Sequence, residues 1–402
     1  MSRKLSNLSV PVLCVLMSGA AVAADMQDQS GNKQNSAEGT INAGGFEIKP
    51  TLRVSLGRND NVGMANGVKT ASNFTKINPS VSVAMPTHGQ VYSATYAGSY
   101  ANYSGSTVDN FTDHNFGLAA NNDWSARVNT LVNVDYNKGH DGRNALPNAN
   151  TFKESWHTTG VKGKAHYGAD NAQGQFELTV GQIAKRYDTN NSTRTQLMNL
   201  DTTNVVGAFF YKIGPATHMI VQAGNTKLSY LDAAAKIRDS AEQQYMVGVK
   251  WDATAKTSGN IRIGQVRKTF NLATTPSATS STWDGNIKWS PLTYSIVDLT
   301  LSQRAAESFG TGSFMISRDT TIAWSHEWAS KIKSNLNIGD GLDTYKNIAQ
   351  TNKRQTYGAK VSYAVNRWLN AGLEYQNSKR NSTSAPLTYT QSQTMLVLDG
   401  TL

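Results

Sequence analysis

From Tyr357 to Arg380 the chain reads YGAKVSYAVNRWLNAGLEYQNSKR. Tyr357, Ala359, Val361, Tyr363 and Val365 share one parity, and Gly358, Lys360, Ser362, Ala364 and Asn366 share the other. After Arg367 and Trp368 the pattern restarts, with Leu369, Ala371, Leu373 and Tyr375 against Asn370, Gly372, Glu374 and Gln376. Strict alternation describes a β-strand with two unlike faces, and a connection this short makes the pair an antiparallel hairpin. The pattern recurs along the chain. Val128, Thr130, Val132, Val134 and Tyr136 stand against Arg127, Asn129, Asn133, Asp135 and Asn137; Tyr245, Val247, Val249 and Trp251 stand against Gln244, Gly248, Lys250 and Asp252. No helical stripe appears from Phe46 onward. About 18 alternating segments are expected, each long enough to cross a bilayer at a tilt.

The connections choose between a sandwich and a barrel. Short ones lie at 85–89, 121–125, 213–217, 289–292, 328–331 and 366–368. Between them come long ones at 58–72, 138–151, 186–199, 232–243 and 271–282. Short turns at one rim and long loops at the other predict a transmembrane antiparallel β-barrel, with periplasmic turns and extracellular loops. Five of the eight tryptophans, Trp124, Trp251, Trp289, Trp328 and Trp368, lie at or beside short turns, as a periplasmic aromatic girdle would require. An even strand number places both termini in the periplasm. A barrel of this size is wide enough for an aqueous passage unless loops plug it.

The start, MSRKLSNLSVPVLCVLMSGAAVAAD, has Arg3 and Lys4, then an apolar stretch, then small residues. It predicts a secretory signal peptide over residues 1–24. Cys14 is the single cysteine and falls inside that signal, so the mature chain carries no thiol and no disulfide. Residues 25–44 are polar and aperiodic and read as a flexible periplasmic leader, either a linker or a tether to a periplasmic export partner. The barrel is expected over 45–402. Mean hydropathy of −0.44 excludes a helical membrane protein.

The polar parity should line the lumen. Its charged candidates are Arg53, Arg127, Asp135, Glu177, Lys250, Arg262, Lys360 and Glu374. Losing Arg3 and Lys4 lowers the formal charge from +10 to +8, which would favour anionic cargo, while loop cations would also meet lipopolysaccharide phosphates. The tyrosines follow strand parity, so nucleic acid is not an expected partner. No HExxH, GxSxG, P-loop or CxxC occurs, so neither an enzyme nor a cofactor is expected. His157 and His326 are the histidines a barrel hydrolase would use, and Asp340 and Asp343 of GDGLD the residues a Ca²⁺ site would use. In each case a structural role is the expected one.

Three stretches carry a family resemblance: GGFEIKPTLRVSLGRNDNV, INPSVSVAMPTHGQVYSATYAGSYANYS and VNVDYNKGHDGR. A first strand ending in Asp60-Asn61, a second carrying Pro79 and a third with Tyr92, Tyr96 and Tyr100 resemble the putative beta-barrel porin 2 family of Gram-negative bacteria. The resemblance implies an outer-membrane barrel associated with exopolysaccharide or capsule synthesis and export. A general or small-solute porin and a plugged barrel that anchors partners are the alternatives. The topology is testable on cells. An epitope after Asn66 should be labelled on intact cells, and a tag at Lys33 only after permeabilisation of the outer membrane. Labelling of the Lys33 tag on intact cells would reverse the two rims.

Overall fold

The computed structural model describes residues 39–143, 153–188, 193–254, 256–308 and 312–401. The expected signal peptide and most of the leader lie outside them. A short strand, β1 (Ile41–Ala43), precedes the long ones. These are β2 (Phe46–Asn59), β3 (Ser72–Thr87), β4 (Gln90–Tyr103), β5 (Phe111–Asp123), β6 (Val128–Asp141) and β7 (Glu154–Tyr167). Next come β8 (Gly174–Tyr187), β9 (Leu200–Gly214), β10 (Thr217–Tyr230), β11 (Ser240–Thr254), β12 (Thr257–Phe270) and β13 (Ala278–Leu292). The last six are β14 (Ser295–Ala306), β15 (Met315–Ala329), β16 (Ile332–Tyr345), β17 (Thr351–Ala364), β18 (Leu369–Ser382) and β19 (Tyr389–Thr401).

Each long strand pairs antiparallel with its sequence neighbours, and β19 pairs with β2 from Gln393↔Asn59 to Thr401↔Thr51. The result is a closed barrel of 18 strands, β2 to β19. The connections alternate as expected. Short turns at 88–89, 124–127, 215–216, 293–294, 330–331 and 365–368 share one rim with the chain ends. Longer loops, among them 60–71, 142–153, 188–199 and 231–239, share the other. Among the described residues no helix is long and apolar enough to cross a membrane.

β1 overlaps the stretch expected to be leader. Gly44 and Gly45 take φ of 58° and 87°, a backbone that side chains with a Cβ rarely adopt. They turn Ile41–Ala43 back onto Phe46–Ile48. That places β1 along the part of β2 beyond the end of β19 and occupies backbone groups at the closing seam.

The apolar parity touches no second sheet. Val361 is 56% exposed and Leu373 65%, and Leu56, Leu118, Val132, Val247, Ile263 and Ile338 are exposed beside them. A belt of large apolar side chains around a whole molecule is too extensive for a water-facing surface and fits hydrocarbon. The opposite parity faces the barrel interior. Val361→Arg should therefore impair insertion by roughly 2–4 kcal/mol if the site lies near the bilayer midplane, whereas the same substitution at Ser362 should be nearly silent. Folding titrations in lipid vesicles measure both. Equal tolerance would contradict a lipid-facing Val361.

Candidate functional site

The lumen wall is built from every second residue of each strand. Its charges meet by cross-strand register, not by sequence proximity. Arg53 on β2 lies opposite Asp399 on β19, and its Nε donates to Asp399 Oδ1 at 2.6 Å. Lys360 Nζ donates to Asp399 Oδ2 at 2.7 Å, so one carboxylate serves two cations. Arg262 Nε donates to Asp284 Oδ1 at 2.9 Å, and its Nη1 donates to Gln222 Oε1 at 2.5 Å. That second bond crosses β11 at Gly248, where an added Cβ would lie 2.7 Å from Arg262 Cγ. A glycine is what lets the guanidinium lie flat along the wall. Glu177 pairs with Lys164 at 2.6 Å, Asp135 accepts from Asn137 Nδ2 at 3.1 Å, and Glu374 accepts from Gln376 Nε2 at 2.6 Å. Lys250 is exposed to the lumen, its Nζ 5.9 Å from the Phe210 ring centroid.

Arg127 departs from expectation. It sits in the 124–127 turn and is exposed, so it is not a mid-strand lumen residue. The Ser125 Oγ accepts from the N–H groups of Arg127 and Val128 at 3.2 and 3.1 Å, which holds the turn and delays the strand to Val128. The wall is also not polar along its full height. Toward the loop rim the inward residues are Phe74, Tyr103, Trp156, Tyr187, Leu228, Tyr230 and Tyr345, all buried. Loop side chains cover them: Val62 packs with Phe74 and Tyr103, Met198 with Trp156 and Tyr187, and Ala235 with Leu228 and Tyr230. Charges in this zone are consumed internally. Lys268, 1% exposed, donates to Glu242 at 2.8 Å and Glu307 at 2.6 Å, and Tyr230 donates to Glu307. Arg354 bridges Asp319 and Asp343 at 2.7 and 2.9 Å.

That pairing commits Asp343 to the lumen wall, while Asp340 shares the lipid-facing parity of Ile338 and is exposed. The two carboxylates of GDGLD point to opposite faces and cannot share an ion. His157 and His326 lie at opposite rims. His157 Nδ1 meets Asp188 at 2.6 Å near the loops, and the His326 ring lies tilted against Trp328, centroids 4.3 Å apart, near the turns. They form no joint site.

The five girdle tryptophans all lie at the turn ends of their strands, and Trp124, Trp289, Trp328 and Trp368 are exposed. Trp124 Nε1 donates to Thr130 Oγ1 and Trp328 Nε1 to Ser334 Oγ, each at 2.8 Å. An outward apolar ring with a satisfied N–H suits a boundary between lipid and water. Trp324, which the sequence did not single out, joins them, with its ring 6.2 Å from Trp328. Tyr92, Tyr96 and Tyr100 face outward, and Tyr96 and Tyr100 share a hydroxyl contact at 2.9 Å.

Asp60 and Asn61 turn out to be seam residues. Asp60 exchanges bonds with Ser392: its N–H donates to the Ser392 carbonyl at 3.0 Å and its Oδ1 accepts from the Ser392 N–H at 2.7 Å. Asn61 is fully buried. Its Nδ2 donates to the carbonyls of Ala65 and Thr390, and its Oδ1 accepts from the Ala65 N–H, all at 2.9 Å. The motif fastens the first loop to the last strand.

The closed antiparallel sheet, its outward apolar belt and its rim of tryptophans define an outer-membrane β-barrel of porin-like architecture. The chain belongs to the putative beta-barrel porin 2 family, whose pattern matches residues 37–400. No curated protein sequence matches it. Solved barrels with a similar fold include the FrpB iron transporter from Neisseria meningitidis, at 9% identity and a TM-score of 0.48, covering 83% of this chain and 62% of that one. The chain thus spans about three fifths of that transporter. Another is Pseudomonas aeruginosa OpdK with vanillate, at 11% identity and a TM-score of 0.45, covering 88% of this chain and 98% of that one. A third is a bacterial polysaccharide outer membrane secretin, at 9% identity and a TM-score of 0.36, covering 88% and 98%.

Asn61→Ala should cost roughly 1–3 kcal/mol for each buried group left unpaired. Its unfolding midpoint in vesicles should fall well below that of Asn66→Ala, which removes one exposed bond to the Ala385 carbonyl. Equal midpoints would deny the seam role.

Proposed function

We propose that this barrel passes or guides a secreted acidic polysaccharide across the outer membrane, in exopolysaccharide or capsule export. One observation carries the reading. At the turn-side mouth the wall has a locally basic stretch, where Lys212 and Lys250 flank His218 in register and no ion pair to any of the three forms among the described residues. An excess of fixed cations raises the local concentration of an anionic polymer and speeds its entry. The surrounding Asn, Ser and Thr side chains offer hydrogen bonds to sugar hydroxyls without a deep apolar pocket that would trap them.

In this reading the loops face outward from the cell and both termini lie in the periplasm. The leader expected over residues 25–44, most of which lies outside the described residues, is then the candidate tether to a periplasmic export partner. Arg58, Lys138, Lys227, Arg267 and Lys353 share the lipid-facing parity near the loop rim and are exposed, which suits lipopolysaccharide phosphates. A second reading has support of its own. Val62, Met198 and Ala235 turn into the loop-side mouth, as they would in a barrel that anchors partners and passes nothing.

Deleting the gene in a bacterium that makes an acidic surface polymer should lower that polymer several-fold. The purified barrel in planar bilayers should conduct and prefer chloride to potassium. Unchanged polymer with a conducting, anion-selective barrel would indicate a small-solute porin. Unchanged polymer with no conductance would indicate the anchor.

A further inference from the structure

Near the turn rim, register brings together three basic residues that lie far apart in any motif search. Lys212 on β9 lies opposite His218 on β10, and His218 lies opposite Lys250 on β11. All three share the inward parity, since their neighbours Tyr211, Met219 and Val249 are exposed on the outer face while Ala208, Ile220 and Met246 are buried on the inner one. Adjacent strands are about 4.8 Å apart, so the outer two backbones are separated by roughly 10 Å.

Nothing along this row neutralises them. The register continues from Lys250 to Asn260 on β12, then to Asn286 on β13 and Thr300 on β14. All of these are neutral. No ion pair to Lys212, His218 or Lys250 forms among the described residues, whereas Arg53, Lys164, Arg262, Lys268, Arg354 and Lys360 on the same inner face all have carboxylates. The nearby acids are elsewhere engaged or displaced. Asp284 is taken by Arg262 and Glu177 by Lys164, and Asp252, exposed two positions closer to the rim than Lys250, forms no ion pair with it. His218 Nε2 is buried without a hydrogen-bond partner. Phe210, opposite Ile220 on the same inner face, holds the Lys250 ammonium 5.9 Å from its ring centroid.

Like charges directly opposite one another on a sheet destabilise it. A wall that pairs so many other cations keeps this row unpaired. The geometry points to an oxyanion-binding site at the turn-side mouth of the lumen, formed by Lys212, His218 and Lys250. Its ligand is an anionic group carried on a polar chain, either the carboxylate of an acidic sugar or the phosphate of a phosphorylated polymer. Two ammonium groups flank the anion, and the imidazole between them supplies a donor at Nε2. Asn260, next in the row, offers its amide to a neighbouring hydroxyl. This inference rests on the export reading and names the cargo chemistry for it.

The test uses the full barrel in lipid nanodiscs and calorimetric titration. Trigalacturonate and an oligomer of glycerol phosphate are the probes, with a neutral maltooligosaccharide as control. One or both anionic oligomers should bind, and whichever binds tighter identifies carboxylate or phosphate. K212Q/K250Q should weaken that binding at least tenfold. K227Q/R267Q removes the same charge from the lipid-facing side and should leave affinity unchanged. Unaltered heat-modified mobility on electrophoresis certifies that both variants are folded. Loss of affinity in both pairs alike, or equal binding of the neutral sugar, would overturn the site. Failure of both anions to bind, in a strain whose deletion does lower surface polymer, would overturn the site and leave the export reading standing. Tight, K212/K250-dependent binding with unchanged surface polymer would keep the site and reject export.

Discussion

Everything in this fold follows from the absence of water in the bilayer. A backbone N–H or C=O left unpaired in hydrocarbon costs several kcal/mol, so a sheet can span a membrane only if it has no edge. The β19–β2 pairing is therefore the critical contact of the molecule. It joins residues more than three hundred positions apart and is reinforced at both ends. At the turn rim β1 covers the stretch of β2 that β19 does not reach. At the loop rim Asp60 and Asn61 bond to Ser392 and Thr390. The Asp60-Asn61 motif thus ties the closing seam together.

Closure also creates an inside, and the inside has two zones. Near the loops it is filled by aromatic and aliphatic side chains and by ion pairs that are almost wholly buried, such as Lys268 with Glu307. Removing one partner of a buried pair is costly because the other charge stays behind, so these contacts fix loop positions. Near the turns the inner surface is polar, with partly exposed pairs around Asp399 and Asp284 and an unpaired row at Lys212, His218 and Lys250. The interior is thus packed at one end and carries a basic row at the other.

The outer surface is simpler because lipid is a simpler solvent. It asks only for apolar side chains at mid-height and amphipathic ones at the boundaries. Val361, Leu373 and Ile263 satisfy the first demand, and Trp124, Trp328 and Trp368 the second. Gly98 gives local detail: an added Cβ there would meet the Tyr96 hydroxyl and the Tyr100 ring at 2.8 Å, so the glycine makes room for the two tyrosines to meet.

The sequence alone determined the architecture, because alternation and turn spacing are local properties. Val361 against Ser362 names the two faces without any knowledge of neighbours, and the alternation of short and long connections names the two rims. Charge partners were beyond its reach. Arg53 meets Asp399 only after the ring closes, and Lys212, His218 and Lys250 fall in one row only through the registers of β9, β10 and β11. Parity likewise says that Tyr103 faces inward and Tyr100 outward, yet not that Tyr103 is sealed beneath Val62 of the first loop. Arg127 alternates like a strand residue, but a hydroxyl two positions back holds it in the turn. Which face a residue takes is decided within its own strand. What it touches there is decided by strands distant in sequence, and by loops that fold back only once the barrel has an interior to fill.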